Sequence, residues 1–281
     1  MQCPINLSLR VYLGRKGFSM ALDRAALMAE LEKNPLGNIV LLKHLTLFPD
    51  HAVCHHAIED GKNGFLVALN AQASPYDRET YPAARSVILI GSDGPESTRA
   101  LLRHVPTQGS IVFKLTSPWD RDVVAARFPL EPKVVFHSFT AEVPFTRDGD
   151  VVVGVEPVSG VLDLLAAQGH DRTWVREVLS SGQAFTCSLW QAGTAISACF
   201  AFQNHGRVWE VGGVYTLEAH RGRGLAAKVV RAAHAVLVER GLLSRYHVQA
   251  GNAASLALAR KIGLQRFLTL SHYLHRPQRS T

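Results

Sequence analysis

Arg221-Gly222-Arg223-Gly224-Leu225-Ala226 joins a strand-like stretch to an amphipathic helix. Upstream, residues 207–216 (Arg-Val-Trp-Glu-Val-Gly-Gly-Val-Tyr-Thr) are rich in β-branched and aromatic side chains, which favour a strand. Downstream, Leu225, Val229, Val230, Ala233 and Leu237 recur at helical spacing, so a helix begins near residues 222–224. Glycines let backbone N–H groups approach a bound group without Cβ interference, and a helix N-terminus adds partial positive charge. A loop of this kind can cradle a pyrophosphate. It can equally be a plain basic turn between strand and helix, so the loop alone does not decide.

The next thirty residues supply the second half of the pattern. Residues 245–249 (Arg-Tyr-His-Val-Gln) read as a short strand, and after Ala250-Gly251 a helix runs from Asn252 to Lys261, closed by Gly263. Asn252, Ser255 and Ala259 fall on one face of that helix. At this point the chain resembles the GNAT superfamily of N-acetyltransferases. Arg221, Gly224 and Ala226 match its R/Q-x-x-G-x-G/A motif. Asn252, Ser255, Leu258, Lys261 and Gly263 match its later N-x-x-S/A-x-x-L-x-x-K-x-G pattern. Either motif alone is weak; together, in this order and context, they are specific.

The resemblance implies acyl transfer from acetyl-CoA, or another acyl-CoA, to a small-molecule or peptide amine acceptor. The backbone of Gly222, Arg223, Gly224, Leu225 and Ala226 is then expected to hold the pyrophosphate, with Arg221 and Arg223 supplying charge. Val214, Tyr215 and Thr216 are expected to pair with the pantetheine amides as an added strand. Asn252, with Ser255 on the same face, is expected to face the pantetheine arm; Asn252 is otherwise a helix N-cap. Gly212-Gly213 inside a strand points to a bulge or to close packing.

The proton inventory is less settled. An amine needs a base, and Glu210 is the candidate, on the strand leading to the loop and on the face of Gly212 and Val214 if no bulge intervenes. The competing reading of Glu210 is a structural ion pair. Many GNAT enzymes place a tyrosine seven residues after the motif asparagine; here that residue is Ala259. Tyr273 or His247 is expected to substitute as the proton donor. Glu218-Ala219 also departs from the Pro-Glu pair that often precedes the arginine loop.

Composition sets wider bounds. A chain of 281 residues, 47% hydrophobic, suffices for one large domain or two ordinary ones. Its longest apolar runs, such as residues 87–90, are too short to span a membrane, and residues 1–20 lack a secretory core. Met20 looks like a natural start, with residues 1–19 an upstream extension. Cys3, Cys54, Cys187 and Cys199 form no C-x-x-C pair and read as reduced thiols in a cytoplasmic protein. His55 and His56, as strand neighbours, point to opposite faces, and the thirteen histidines are not expected to hold a metal. The net charge of +7 gathers partly at His220, Arg221, Arg223, Lys228 and Arg231, without the basic blocks of a nucleic-acid binder.

The fold class expected is α/β (α+β), a mixed and mostly antiparallel central sheet flanked by helices, the acyl-CoA N-acyltransferase fold. Residues 150–275 give β-α-β-β-β-α-β-α-β. The N-terminal half shows β-β-β-α-β-α-β over residues 54–141, the same order as residues 184–275, and reads as a degenerate internal repeat. Where the second half has its arginine loop, the first has Gly91-Ser92-Asp93-Gly94-Pro95-Glu96, with two acids, no arginine and a proline that lacks a donor. The arrangement looks like tandem GNAT proteins of the glycine N-acyltransferase-like group. A degenerate domain at 1–148 and a catalytic domain at 149–281 are therefore expected. The rival reading is a catalytically silent acyl-CoA-binding sensor or scaffold, kept open by Ala259.

Overall fold

The computed structural model describes residues 24–141 and 144–277, so the expectations for residues 1–19 and for Cys3 lie outside the described residues. In chain order the first half holds α1 (Arg24–Leu31), α2 (Ile39–Leu47), β1 (Ala52–Glu59), β2 (Lys62–Asn70), α3 (Pro75–Thr80) and β3 (Ser86–Ser92). It continues with α4 (Pro95–Leu101), β4 (Ile111–Leu115), α5 (Asp120–Ala125) and β5 (Glu131–Thr140). The second half holds β6 (Val152–Gly154), α6 (Ser159–Ala167), α7 (Arg172–Ser180), β7 (Ala184–Gln191) and β8 (Thr194–His205). It closes with β9 (Val208–Thr216), α8 (Leu225–Glu239), β10 (Leu243–Gln249), α9 (Ala253–Ile262) and β11 (Gln265–His275).

Side-chain caps start three of the helices, α3, α7 and α9. The Ser74 hydroxyl accepts from Asp77 N at the start of α3, and Asp171 accepts from Trp174 N at 2.8 Å at the start of α7. The hairpin before β9 turns at Gly206-Arg207, because His205 pairs with Val208 and Asn204 remains in the strand. The first strand of the second half is confined to Val152–Gly154.

The eleven strands among the described residues join one sheet in the order β1-β2-β3-β4-β11-β5-β10-β9-β8-β7-β6. Neighbours are antiparallel except β3–β4 and β9–β10. The order contains a reciprocal exchange. β5, the last strand of the first half, pairs with β10, while β11, the last strand of the second, pairs with β4. β5 and β11 then pair with each other at the centre. Each half thus completes the sheet of the other.

Helices cover both faces. On one, Val229, Val230 and Ala233 of α8 pack with Val211 and Tyr246 of the sheet in a single apolar cluster. On the other, α1 and α2 pack against Val208, Leu268 and Leu270, so the first half's leading helices lie over strands of the second. Helices α6 and α7 cover Ala198 and Phe200 on that face. Among the described residues no helix is long and apolar enough to cross a membrane.

Candidate functional site

β9 and β10 are paired from Val208↔Leu243 to Val211↔Tyr246 and no further. Two features pull them apart. Gly213 adopts φ of +61°, and the β8–β9 register slips there, so Phe200 faces Gly212 while Ala198 faces Tyr215. This is a β-bulge, and it breaks the face shared by Glu210, Gly212 and Val214 on which the sequence reading depends. On the other side β10 follows β5, with Val248 opposite His137 and Gln249 opposite Phe136. Val214, Tyr215 and Thr216 therefore border an opening, with Tyr215 and Thr216 paired to β8 and none of the three to β10.

The arginine loop closes one end of this opening. Gly222 and Gly224 both have φ of +78°, and Gly224 caps α8 in the left-handed region that favours glycine. Among the described residues the N–H groups of Gly222, Arg223, Gly224, Leu225 and Ala226 have no hydrogen-bond partner; the first engaged amides are Ala227 and Lys228, both bonded to Gly224 O. Five adjacent free donors at a helix N-terminus form a concave anion cradle. Arg221 bonds Thr216 O at 3.2 Å and lies over the Tyr215 ring, and Arg223 bonds Ala219 O at 3.2 Å. Both arginines are exposed at the cradle. Of the other cluster members, Lys228 is paired with Asp148 at 2.8 Å and Arg231 lies over Phe145, so those two charges face the segment joining the halves.

The corresponding place in the first half is stitched shut. Pairing of β3 with β4 continues to Ile90↔Leu115, and Thr116 N then donates to Ile90 O. Ser92 N donates to Ser117 Oγ, Ser117 Oγ donates to Ser92 O at 2.8 Å, and Asp93 N donates to Asn63 O. Asp120 Oδ1 accepts from Thr98 and Ser92, at 2.6 and 2.9 Å. Burial raises the Asp120 carboxyl to about 6, although these hydroxyls pull it down. Hydrogen bonds within the fold occupy the place that the cradle takes in the second half.

Glu210 points away from the α8 face and meets Arg245 at 2.9 Å, also accepting from Asn204 Nδ2 at 2.6 Å. Burial opposes its ionisation, but Arg245, Lys43, His247 and the Asn204 bond prevail and bring its pKa down to about 2. Such a carboxylate has little affinity for a proton at neutral pH. Its geometry is that of an anchor: Arg245 in turn bonds Ser138 Oγ through Nε at 3.1 Å and His247 Nδ1 through Nη2 at 2.8 Å. Burial, then Arg245, lowers His247 to about 3, so its ring is neutral.

The structure does not bring Tyr273 to the opening. It lies on β11, opposite Phe113 of β4, and β5 and β10 intervene before β9. The strand exchange is the cause. Asn252 Oδ1 caps α9 by accepting from Ser255 N at 3.0 Å, and Asn252 remains exposed. The sequence reading misses Tyr246. Its backbone makes the last pair before the strands part, and its ring shares a cluster with the fully buried Ala259. Burial raises its phenol pKa while the neighbouring Ser255 side chain pulls the other way. Its signal is the alternation of Arg245, Tyr246 and His247, which sends Tyr246 to the face opposite the other two.

Residues 163–264 match the Acetyltransferase (GNAT) family. Among solved structures, an acetyltransferase of the GNAT family from Colwellia psychrerythraea aligns with TM-score 0.54 at 12% identity, over 92% of this chain and 100% of that one. A GCN5-related N-acetyltransferase from Sphaerobacter thermophilus aligns with TM-score 0.52 at 12% identity, over 94% and 96%. The fold is that of the GNAT acyltransferases. A protein described as a tandem GNAT protein from the clavulanic acid biosynthesis pathway aligns over 95% of this chain and 99% of that one, with TM-score 0.50 at 9% identity. No curated protein matches the chain.

Proposed function

We propose that the chain is an N-acyltransferase that moves an acetyl or other acyl group from acyl-CoA to an amine by direct attack in a ternary complex. In this reading residues 149–281 carry the acyl-CoA site and residues 1–148 are the degenerate half, an arrangement like that of the glycine N-acyltransferase-like group. The observation that carries it is the row of five free amides at the mouth of a parallel strand pair that separates, set against a first half where the same place is closed by hydrogen bonds.

Acyl-CoA supplies the activated thioester; the chain supplies position and proton traffic. Gly222 to Ala226, with Arg221 and Arg223, hold the pyrophosphate, and the free edge of Val214–Thr216 takes the pantetheine as a neighbouring strand. An N–H on that edge stabilises the oxyanion as the amine nitrogen attacks the carbonyl. The C–S bond then breaks, the Tyr246 phenol gives its proton to the departing thiolate, and a proton from solvent restores the phenol as the nitrogen releases its own to water. Glu210 positions Arg245 and His247, and the amine enters as its free base.

A thiol-release assay with acetyl-CoA and a panel of amines tests the reading. Amine-dependent thiol release that disappears when Arg221 and Arg223 are both replaced by Ala supports it. Tight CoA binding with no release for any amine would instead favour a silent acyl-CoA sensor.

A further inference from the structure

A cavity of about 470 Å³ lies on the sheet face opposite α8, where the exchanged strands meet. Its floor includes Phe136, Arg245, His247 and His272, and its roof is α2 and the start of α3, including Lys43 and Tyr76. Arg245 and His247 place one wall beside the β9–β10 opening, since His247 directly follows the last residue of β10 that pairs with β9. Both halves therefore build it.

Its charge is unbalanced. Three cations stand on its walls, Lys43, Lys114 and Arg245. Two carboxylates answer them: Asp77 pairs with Lys114 at 2.8 Å and Glu210 with Arg245 at 2.9 Å. One positive charge is left over. Lys43 is the cation without a partner, since its Nζ makes no hydrogen bond or ion pair among the described residues. Burial lowers its pKa, with the Glu210 charge opposing. His44, His247 and His272 are all lowered by burial and add no charge near neutral pH, and Tyr76 is raised and stays neutral. The Glu210 carboxylate that acts on Lys43 is already bonded to Arg245, so this half-buried ammonium has no counter-ion of its own, and a bound anion would complete it.

We propose that this cavity holds the amine acceptor and selects acceptors that carry a carboxylate or a phosphate, with Lys43 as the residue that binds that anion. The proposal rests on the acyltransferase reading and gives the first half a role, as the roof of the acceptor pocket.

Matched amines test it. β-Alanine and phosphoethanolamine supply the two anions, and propylamine, ethanolamine and putrescine are the neutral and cationic controls, with thiol release from acetyl-CoA as readout. The expected result is kcat/KM about tenfold or more higher for one of the anionic amines than for its control, the better of the two naming the anion. Lys43→Met should raise KM for that amine about tenfold, Lys43→Arg should restore it, and CoA affinity should not change. Lys43→Gln serves if Lys43→Met fails to fold. Preference for the neutral or cationic amines, or an unchanged KM in the Lys43 variants, overturns the proposal. If no amine releases thiol, calorimetry of β-alanine and phosphoethanolamine with the CoA-loaded protein decides: binding lost in Lys43→Met supports it, and binding of neither overturns it. Loss of CoA binding altogether would sink the acyltransferase reading instead, and the same calorimetry on the CoA-free protein would still decide the pocket.

Discussion

Glu210 and Arg245 stand opposite each other on parallel strands, one residue short of the point where β9 and β10 part, with their side chains 2.9 Å apart. The pair is buried at the junction between the opening and the acceptor-side cavity, so it couples fold stability to the geometry of the site.

Replacing Glu210 by Gln leaves the Arg245 guanidinium buried without its counter-ion. The expected loss of stability is about 3 kcal/mol, read by denaturant unfolding. Because the carboxyl already ionises at about 2, the wild-type pH–rate profile should show no carboxylate inflection between about pH 5 and 9, and should rise with the free-amine fraction of the acceptor. An inflection in that range that vanishes in Glu210→Gln would restore Glu210 as the general base.

Tyr246→Phe removes one hydroxyl from a buried ring. If the phenol protonates the thiolate, kcat should fall about a hundredfold with little change in CoA affinity. Near wild-type kcat would place the proton donor elsewhere.

Gly213 combines φ of +61° with no room for a side chain, since a Cβ there would sit 2.8 Å from Leu165 and from Phe200. Gly213→Ala should cost about 1–3 kcal/mol and weaken CoA binding, because relaxing the bulge re-closes the edge of Val214–Thr216. Unchanged CoA affinity would detach the bulge from the site.

Acid should unfold the protein early. His234 and His272 are buried and His247 half-buried, and desolvation lowers each from 6.5 to about 3. Between these values the unfolded chain binds the protons and the fold does not, so stability falls as pH drops below about 6.5, by up to about 1.4 kcal/mol per pH unit for each histidine. Glu210 adds a loss of the same sign as pH falls from 4.5 toward 2. Asp120, raised to about 6, acts the other way and gains as pH falls from 6 toward 3.8. Chemical denaturation across about pH 4 to 7 checks the net slope; a flat profile would contradict it.

The order of strands from residue 54 to 275 was legible because periodicity and turn residues are local signals, and the loop and the Asn252 helix are contiguous motifs; α3 (Pro75–Thr80), a six-residue helix with no apolar repeat, was not. The partners of the last strands were not. β5 and β11 each follow a short helix, and nothing local says whether each closes its own half or the other. That choice is made by contacts between distant segments, such as Ser138 with Arg245 and His137 with Thr269. The misplacement of Tyr273 follows directly. Glu210 can be found by its position, but its partner lies on another strand, so its basicity cannot be read from the chain. The expected role of Asn252 as a pantetheine contact stays a proposal beside its observed cap.

The account rests on one acyl-CoA cradle per chain, and calorimetric titration with CoA tests it most directly. It predicts a single site per chain, weakened about tenfold or more when Arg221 and Arg223 are replaced by Ala. Two sites per chain, no binding, or binding indifferent to both arginines would contradict it.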